Sequence, residues 1–414
     1  MAVGTALDPG QPSGEVHDKR KERRALGVAC AGHVLHDGYT DLIWVALPIW
    51  QAEFALSYAA VGTLRMIYTG TMAGLQIPAA RVAERLGGAP VLALGTVLCG
   101  LCYGLAGIGY GFWWLVAVLF LGGLGAATQH PIGSALVMRT FTGARSLSAF
   151  GTYNFAGDVG KVLLPALAAA LLLVMPWRPA YALLGLLGIV AAVPIFLLAP
   201  RLMPEQATSR EADAKVPQVE AASTPSRLGY RILIGFGVAD SVIRGALFVL
   251  LPFLLIAKGA AVGTAGVALT LVFLGGAFGK LACAWVARRL GIVATIVVAQ
   301  ALTAAGTIAV LALPLSAALV LLPVLGIALN GVTTVIYGSV PSYAPPERRT
   351  HALSVFYTVT IGSAALAPPL SGLLGDLVGI PTAVITIALL TLATIPLAFG
   401  LVGGEPAPRT TSRS

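Results

Sequence analysis

Apolar residues gather along this chain into long runs divided by short polar turns, rather than alternating with polar ones as they would in half-buried strands. The runs have approximate limits 26–50, 57–79, 90–109, 112–138, 146–174, 180–199, 229–257, 263–287, 292–313, 316–341, 352–377 and 380–402. Each holds about 20 residues or more, and at about 1.5 Å per residue that spans a hydrocarbon core about 30 Å thick. A segment surrounded by lipid must satisfy its own backbone hydrogen bonds, so the runs are predicted to be helices, not barrel strands. The pattern therefore predicts an all-α integral membrane protein with twelve transmembrane helices.

The runs form two sets of six, and the second set echoes the first. Arg81-Val-Ala-Glu-Arg-Leu-Gly87 returns as Trp285-Val-Ala-Arg-Arg-Leu-Gly291, 204 positions later, and Leu47-Pro48 returns as Leu251-Pro252 at the same offset. Ala59-Ala-Val-Gly-Thr63 is repeated as Ala260-Ala-Val-Gly-Thr264. Colinear echoes of this kind indicate duplication. The expected organisation is a polar cytoplasmic lead (1–25), a six-helix bundle (26–199), a Pro-containing cytoplasmic linker (200–228), a second bundle (229–402) and a cytoplasmic tail (403–414). The lead has no short apolar core with a cleavage site, so it does not read as a cleaved signal peptide.

Composition supports the membrane assignment: 57% of residues are hydrophobic and 10% charged, against roughly 45–50% and about 25% in soluble domains. The net charge of +9 has a topological explanation. Lys19, Arg20, Lys21, Arg23 and Arg24 precede the first span, and Arg81, Arg85, Arg139, Arg145, Arg288, Arg289, Arg348 and Arg349 occupy alternate turns. Only Arg178 and Lys258 lie in the opposite turns. The positive-inside rule then places both termini in the cytoplasm, in the cytoplasmic (inner) membrane of a bacterium. Partners are expected to be the lipid bilayer, protons and a small-molecule substrate, not nucleic acid. A chain holding both halves of a path is expected to work as a monomer.

Enzyme chemistry is not expected. No Gly-rich loop with a following Lys suits a phosphate, and no nucleophile triad or metalloprotease spacing is present. Cys99 and Cys102 have metal or redox spacing, but with Cys30 and Cys283 they lie within spans and read as small packing residues. Neither a cofactor nor a metal is expected.

The candidate chemistry lies in ionisable residues placed where lipid makes them costly, at least ~2.5 kcal/mol each at the bilayer centre. His33, Asp37 and Asp41 recur at i+4 on the first span, a polar stripe about 12 Å long, with His36 beside it. Asp37 has no Lys or Arg one turn away on its own helix, which suits a proton acceptor; His33 is its candidate partner or a second carrier. Asp158 and Lys161 can pair on the fifth span, as can Asp240 and Arg244 on the seventh. His130 stands before Pro131 in the fourth span, Arg65 in the outer part of the second and Lys280 toward the inner end of the eighth. Lys161 and Arg244 can attract an anion, although each has an acid one turn away. Each of these pairs can also be read as a structural ion pair, and His130 as a packing residue.

The turn Ala80-Arg-Val-Ala-Glu84-Arg85-Leu-Gly87 resembles the loop signature of the major facilitator superfamily, at the place where that family carries it. Ala80 stands for the usual leading Gly, and Gly88 and Ala89 for the trailing basic pair. Gly32-His33-Val-Leu-His36-Asp37, Glu53-Phe54-Ala-Leu-Ser57 and Gly122-Gly-Leu-Gly-Ala-Ala-Thr-Gln-His130-Pro131-Ile-Gly-Ser134 resemble its fosmidomycin-resistance branch. The resemblance implies the major facilitator fold and active transport. It implies that Glu84, Arg85 and Gly87 form a loop that stabilises one conformation. It further implies that His33, Asp37, His130, Asp240 and Arg244 share one central cavity, with Asp158 and Lys161 contributing to substrate binding or gating. The leading expectation is a secondary active transporter exporting a drug or other small organic compound, with antibiotic resistance as the outcome, by proton antiport and alternating access. The alternatives are proton-coupled uptake of an organic anion, or a membrane sensor or assembly factor that no longer transports.

Overall fold

The computed structural model describes residues 19–141, 143–199, 226–345 and 348–401. Among these, the first half holds α1 (Lys19–Glu53), α2 (Tyr58–Leu86), α3 (Gly88–Ala106), α4 (Phe112–Ala126), α5 (Gln129–Thr140), α6 (Gly143–Val174) and α7 (Trp177–Leu198). The second holds α8 (Arg227–Ala257), α9 (Val262–Leu290), α10 (Ile292–Ala312), α11 (Leu315–Ser339), α12 (Arg349–Val378), α13 (Ile380–Ala393) and α14 (Ile395–Phe399). Two of the passages are broken. Pro131 has no N–H for the Ala127 carbonyl and Pro396 none for the Leu392 carbonyl, which accounts for the α4/α5 and α13/α14 interruptions. Counted as passages, the described helices number twelve, six in each half.

Ten of the twelve are long and apolar enough to cross a membrane by length and composition. The exceptions are α1 and α2, which are ample in length, 35 and 29 residues, but too polar. The polarity of α1 is that of its ionisable stripe. The chain's outer surface is correspondingly apolar: Leu186, Val190, Val193 and Leu197 of α7 are all exposed, one helical face offered to lipid. Helix α1 also begins at Lys19, inside the stretch assigned to a polar lead, and its first turns are anchored by an ion pair from Glu22 to Arg145 of α6. Residues 1–18 of that lead, 200–225 of the linker and 402–414 of the tail lie outside the described residues.

The repeated seven-residue phrase makes the same turn twice. Gly87 and Gly291 have φ of +91° and +86°, a region where a side chain is strained, and donate to the Ala83 and Ala287 carbonyls. Each closes one helix and opens the next within a single residue.

Helix pairs α2–α12 and α6–α9 join the halves, but the joint is uneven along the bundle. Where α1 and α8 end, one continuous core takes in Trp44, Leu47 and Trp50 of α1, Tyr68 of α2, Phe248 and Leu251 of α8, and Phe273 of α9. There the Trp44 and Phe248 rings stack at 5.6 Å across the halves, and the Asp376 carboxylate of α12 accepts the Tyr58 and Ala59 N–H groups at 2.8 and 2.9 Å, capping α2 of the other half. At the opposite end the core divides. Val28, Leu92, Leu136 and Ile195 pack within the first half, and Leu233, Phe236, Ile296 and Phe356 within the second. The halves are thus closed against each other at one end and parted at the other.

The closed end uses its two basic residues locally. Arg178 is paired with Glu53 and donates to the Gly107 carbonyl at 2.6 Å. Lys258 donates to the Leu311 and Leu313 carbonyls at 2.7 and 2.8 Å, satisfying the end of α10.

Candidate functional site

Midway along α1, the i+4 stripe forms as its spacing predicts, and neighbouring helices bring partners to it. His33 Nδ1 lies 2.7 Å from the Tyr153 carbonyl of α6. A carbonyl only accepts, so Nδ1 carries the proton, and Nε2 is turned toward Asp37 Oδ2 at 3.5 Å. That approach is attractive when one proton resides on Nε2 or on the carboxylate, and repulsive when neither holds it. The His33 ring is further fixed by stacking on Tyr153, centroids 4.1 Å apart. All of this requires α1 and α6 to meet closely at Gly157: a Cβ there would lie 2.6 Å from Asp37 Oδ2 and 2.7 Å from His33 Nε2.

Two more histidines complete that side. His36 Nε2 is 3.2 Å from His130 Nε2 of α5, and these nitrogens are 3.7 and 3.9 Å from Asp37 Oδ1. His36 is buried, whereas 42% of the His130 side chain is exposed. Asp37, which has no Lys or Arg one turn away on its own helix, meets a cation from another: Lys161 Nζ of α6 is 3.3 Å from Asp37 Oδ2 and 3.7 Å from Asp158 Oδ1. Asp158 in turn receives Lys280 Nζ of α9 on both oxygens, at 2.6 and 2.7 Å. A continuous line of titratable groups therefore runs from His130 through His36, Asp37, Lys161 and Asp158 to Lys280, crossing from the first half into the second.

His33, Asp37 and His130 each offer one ligand atom within 4.8 Å of the others, a spacing that a transition metal could use. The Lys161 ammonium opposes it. A like unit charge at about 4 Å costs about 4 kcal/mol at an effective permittivity of 20, and a dication doubles that. The charges suit a proton better than a metal ion.

The remaining candidates separate from this line. Asp41 and Arg65 are both buried and form their own unit, Oδ1 to Nη2 3.7 Å, with Arg65 also donating to the Thr40 carbonyl and lying 4.3 Å over Trp44. In the second half, Arg244 donates to Asp240 Oδ2 at 2.9 Å and to Thr333, while Gln300 contacts Asp240 Oδ1 at 3.4 Å. Among the described residues no hydrogen bond or ion pair joins Asp240 or Arg244 to the His33–Asp37 group, with which they were expected to share one cavity. Glu84 and Arg85 are exposed beside Gly87 and form no ion pair among the described residues. The four cysteines are free, and Cys99 and Cys102 are buried as packing residues.

The links that sequence reasoning did not find all run between helices: Lys161 to Asp37, Lys280 to Asp158, His36 to His130, Arg65 to Asp41. The available signal was glycine on the facing helices: Gly157, one turn before Lys161, and Gly160 on α6, with Gly38 on α1.

Comparisons with known proteins agree with this architecture. A bacterial homolog of the human lysosomal transporter Spinster, solved in an inward-facing and occupied conformation, superposes with a TM-score of 0.75 at 18% identity, covering 92% of this chain and 97% of that one. The gentisate transporter of Corynebacterium glutamicum is 26% identical over 357 residues, 82% of this chain and 79% of its own. A probable L-galactonate transporter of Escherichia coli K12 is 28% identical over 148 residues, and the match spans only 33% of that protein's length and 36% of this one's. The multidrug resistance protein MdtL of Klebsiella pneumoniae is 24% identical over 186 residues, 44% of this chain and 47% of its own. The family model described as Major Facilitator Superfamily matches residues 29–254 and again 233–414, so that each half is accounted for. With twelve helical passages in two halves and a polar line between them, the chain is a multi-pass membrane transporter, not an enzyme, and belongs to the major facilitator superfamily.

Proposed function

We propose that this transporter couples the movement of protons to that of a small organic anion by alternating access, with Asp37 and His33 as the proton carrier. The observation that carries the reading is the Lys161 ammonium held between Asp37 and Asp158. A proton loaded on the Asp37–His33 pair removes the charge that occupies Lys161, leaving the ammonium available to an anion. Proton and anion then load together, which favours the symport alternative over the exchange of a drug for protons expected from sequence. Two relatives, the gentisate transporter and the probable L-galactonate transporter, are named for carboxylates and support the same substrate class; the multidrug resistance protein MdtL keeps efflux as the second reading.

With the parted end placed in the cytoplasm by the positive-inside rule, the split core supports an inward-open state. A place in the fosmidomycin-resistance branch, in the inner membrane, rests on the three phrases that hold His33 and His36, Glu53–Ser57 and His130. In this scheme His130 is the half-exposed entry to the proton line, Asp240 and Arg244 brace the second half, and Glu84, Arg85 and Gly87 form the loop that meets the other half in the outward state.

The test is proteoliposomes carrying the full chain, with an imposed pH gradient and radiolabelled gentisate, galactonate and benzoate. Uptake that follows the gradient and collapses in Asp37→Asn supports the reading. Gradient-driven flux that persists undiminished in Asp37→Asn removes Asp37 from the mechanism, and accumulation only against the proton flow restores the export reading.

A further inference from the structure

The ion pair between Lys280 and Asp158 differs from every other one given by the described residues. Among the described residues, the remaining pairs lie within a single half, and only this one joins α6 to α9 across the halves. Both Asp158 oxygens lie on one ammonium, at 2.6 and 2.7 Å, and the Lys161 ammonium stands 3.7 Å away on the other side. The two lysines keep 39% and 34% of their side chains exposed, so the arrangement is reachable and is not sealed in a helix interface. The other cations within the spans are engaged elsewhere: Arg65 by Asp41 and the Thr40 carbonyl, Arg244 by Asp240 and Thr333.

A carboxylate gripped by one cation from each half is the arrangement an anionic substrate would need in order to be felt by both halves at once. We propose that Asp158 is a built-in stand-in for the substrate: a carboxylate-bearing solute takes its place on Lys280 and Lys161, and Asp158 returns when the solute leaves. This rests on the anion-transport reading above and adds the site and the exchange. The consequence is electrostatic. With Asp158 in place the empty carrier holds no uncompensated cation between its halves and is free to close; the displaced Asp158 stays an anion, so with the solute in place the loaded carrier is equally neutral once a co-transported proton is held beside it. Closure is disfavoured only in the half-exchanged state, where Lys280 has lost one carboxylate and not gained the other.

The two members of the pair therefore respond to substitution with opposite sign. Removing the stand-in leaves Lys280 waiting for an anion, so Asp158→Asn binds carboxylates more tightly, by about tenfold for one charge-assisted contact released. Lys280→Gln loses that binding, and so does the double variant. A pair with a merely structural role predicts the same direction for both single variants.

The experiment uses the purified full chain in detergent and follows its melting temperature against benzoate, gluconate and lactate, each beside its neutral amide. Vesicle assays of net uptake and of counterflow use whichever acid binds. The expected result is acid-over-amide binding that is stronger in Asp158→Asn and absent in Lys280→Gln, with counterflow kept and net uptake lost in Asp158→Asn because its empty form cannot return. The proposal is overturned if no acid out-binds its amide in either wild type or Asp158→Asn, or if both single variants weaken binding alike. Its failure is separable from that of the proton route: unchanged coupling in Asp37→Asn alongside opposite signs at Asp158 and Lys280 would retire Asp37 and leave the stand-in intact.

Discussion

Helices α1 and α8 hold equivalent places in the two repeats, and their polar residues do different things. At the repeat offset of 204, Asp240 stands where the first half has His36, and Arg244 where it has Thr40. On α8 the pair is closed upon itself: Arg244, Asp240, Thr333 and Gln300 satisfy one another within the second half. On α1 the groups are left in a sequence, His36 against His130, His33 against Asp37, Asp37 against Lys161, each able to pass a proton or a charge to the next. Duplication supplied a symmetric frame, and the chemistry was then placed on one side of it. The second half contributes to the line chiefly through Lys280, one side chain that reaches across.

The largest test of this contrast is Asp37→Asn, expected to lower proton-driven transport by about 100-fold, a general acid–base group being removed. Arg244→Gln should fall much less in transport at matched folded protein, because its partners are structural. Comparison of the two variants in the same vesicles decides whether the halves truly divide the work.

Next in size is the effect on stability. Arg65→Met strands a buried Asp41 and is expected to cost about 3 kcal/mol, read as a lowered melting temperature in detergent; Asp41→Asn with Arg65→Met should recover part of it. On the α8 side, Arg244→Lys keeps the charge but loses the forked contact to Asp240 and Thr333. It should cost about 1 kcal/mol, with transport within a factor of ~3 of wild type. A large transport defect there would place substrate contacts in the second half and undo the division.

How much of this the sequence reveals depends on whether a contact lies along a helix or between helices. Hydropathy sufficed for ten of the twelve passages, because lipid enforces long apolar runs, while α1 and α2 stood out only as long charge-poor stretches. The His33–Asp37 and Asp240–Arg244 pairs were legible because i+4 spacing fixes them within one helix. Lys161 against Asp37 was not, since their meeting depends on α6 approaching α1 at Gly157, and nothing in either helix alone states that distance. The start of α1 was misplaced for a related reason: a run of Lys, Arg and Glu reads as a loose polar lead until Arg145 of another helix is there to receive Glu22.

The smallest expected effect is at the closed end. Asp376→Ala removes the carboxylate that caps α2 from the other half and should shift the balance toward opening there by about 1 kcal/mol, roughly fivefold in population. Cysteine accessibility at the α2 N-terminus, measured with and without Asp376→Ala, reads it directly.

The polarity of α1 has a consequence for how the protein is made. Made ahead of the passages that neutralise it, α1 carries Asp37 and Asp41 into the translocon before Arg65 of α2 has emerged and long before Lys161 of α6. At ~2.5–3.5 kcal/mol for each central charge, α1 gains little from entering lipid alone. Its insertion must wait for, or be rescued by, the helices that hold its counter-charges. A nascent chain stalled before α6 should therefore present α1 as a poorly inserted segment to the cell's membrane quality control, and the residues proposed to carry the proton would also set the order of assembly.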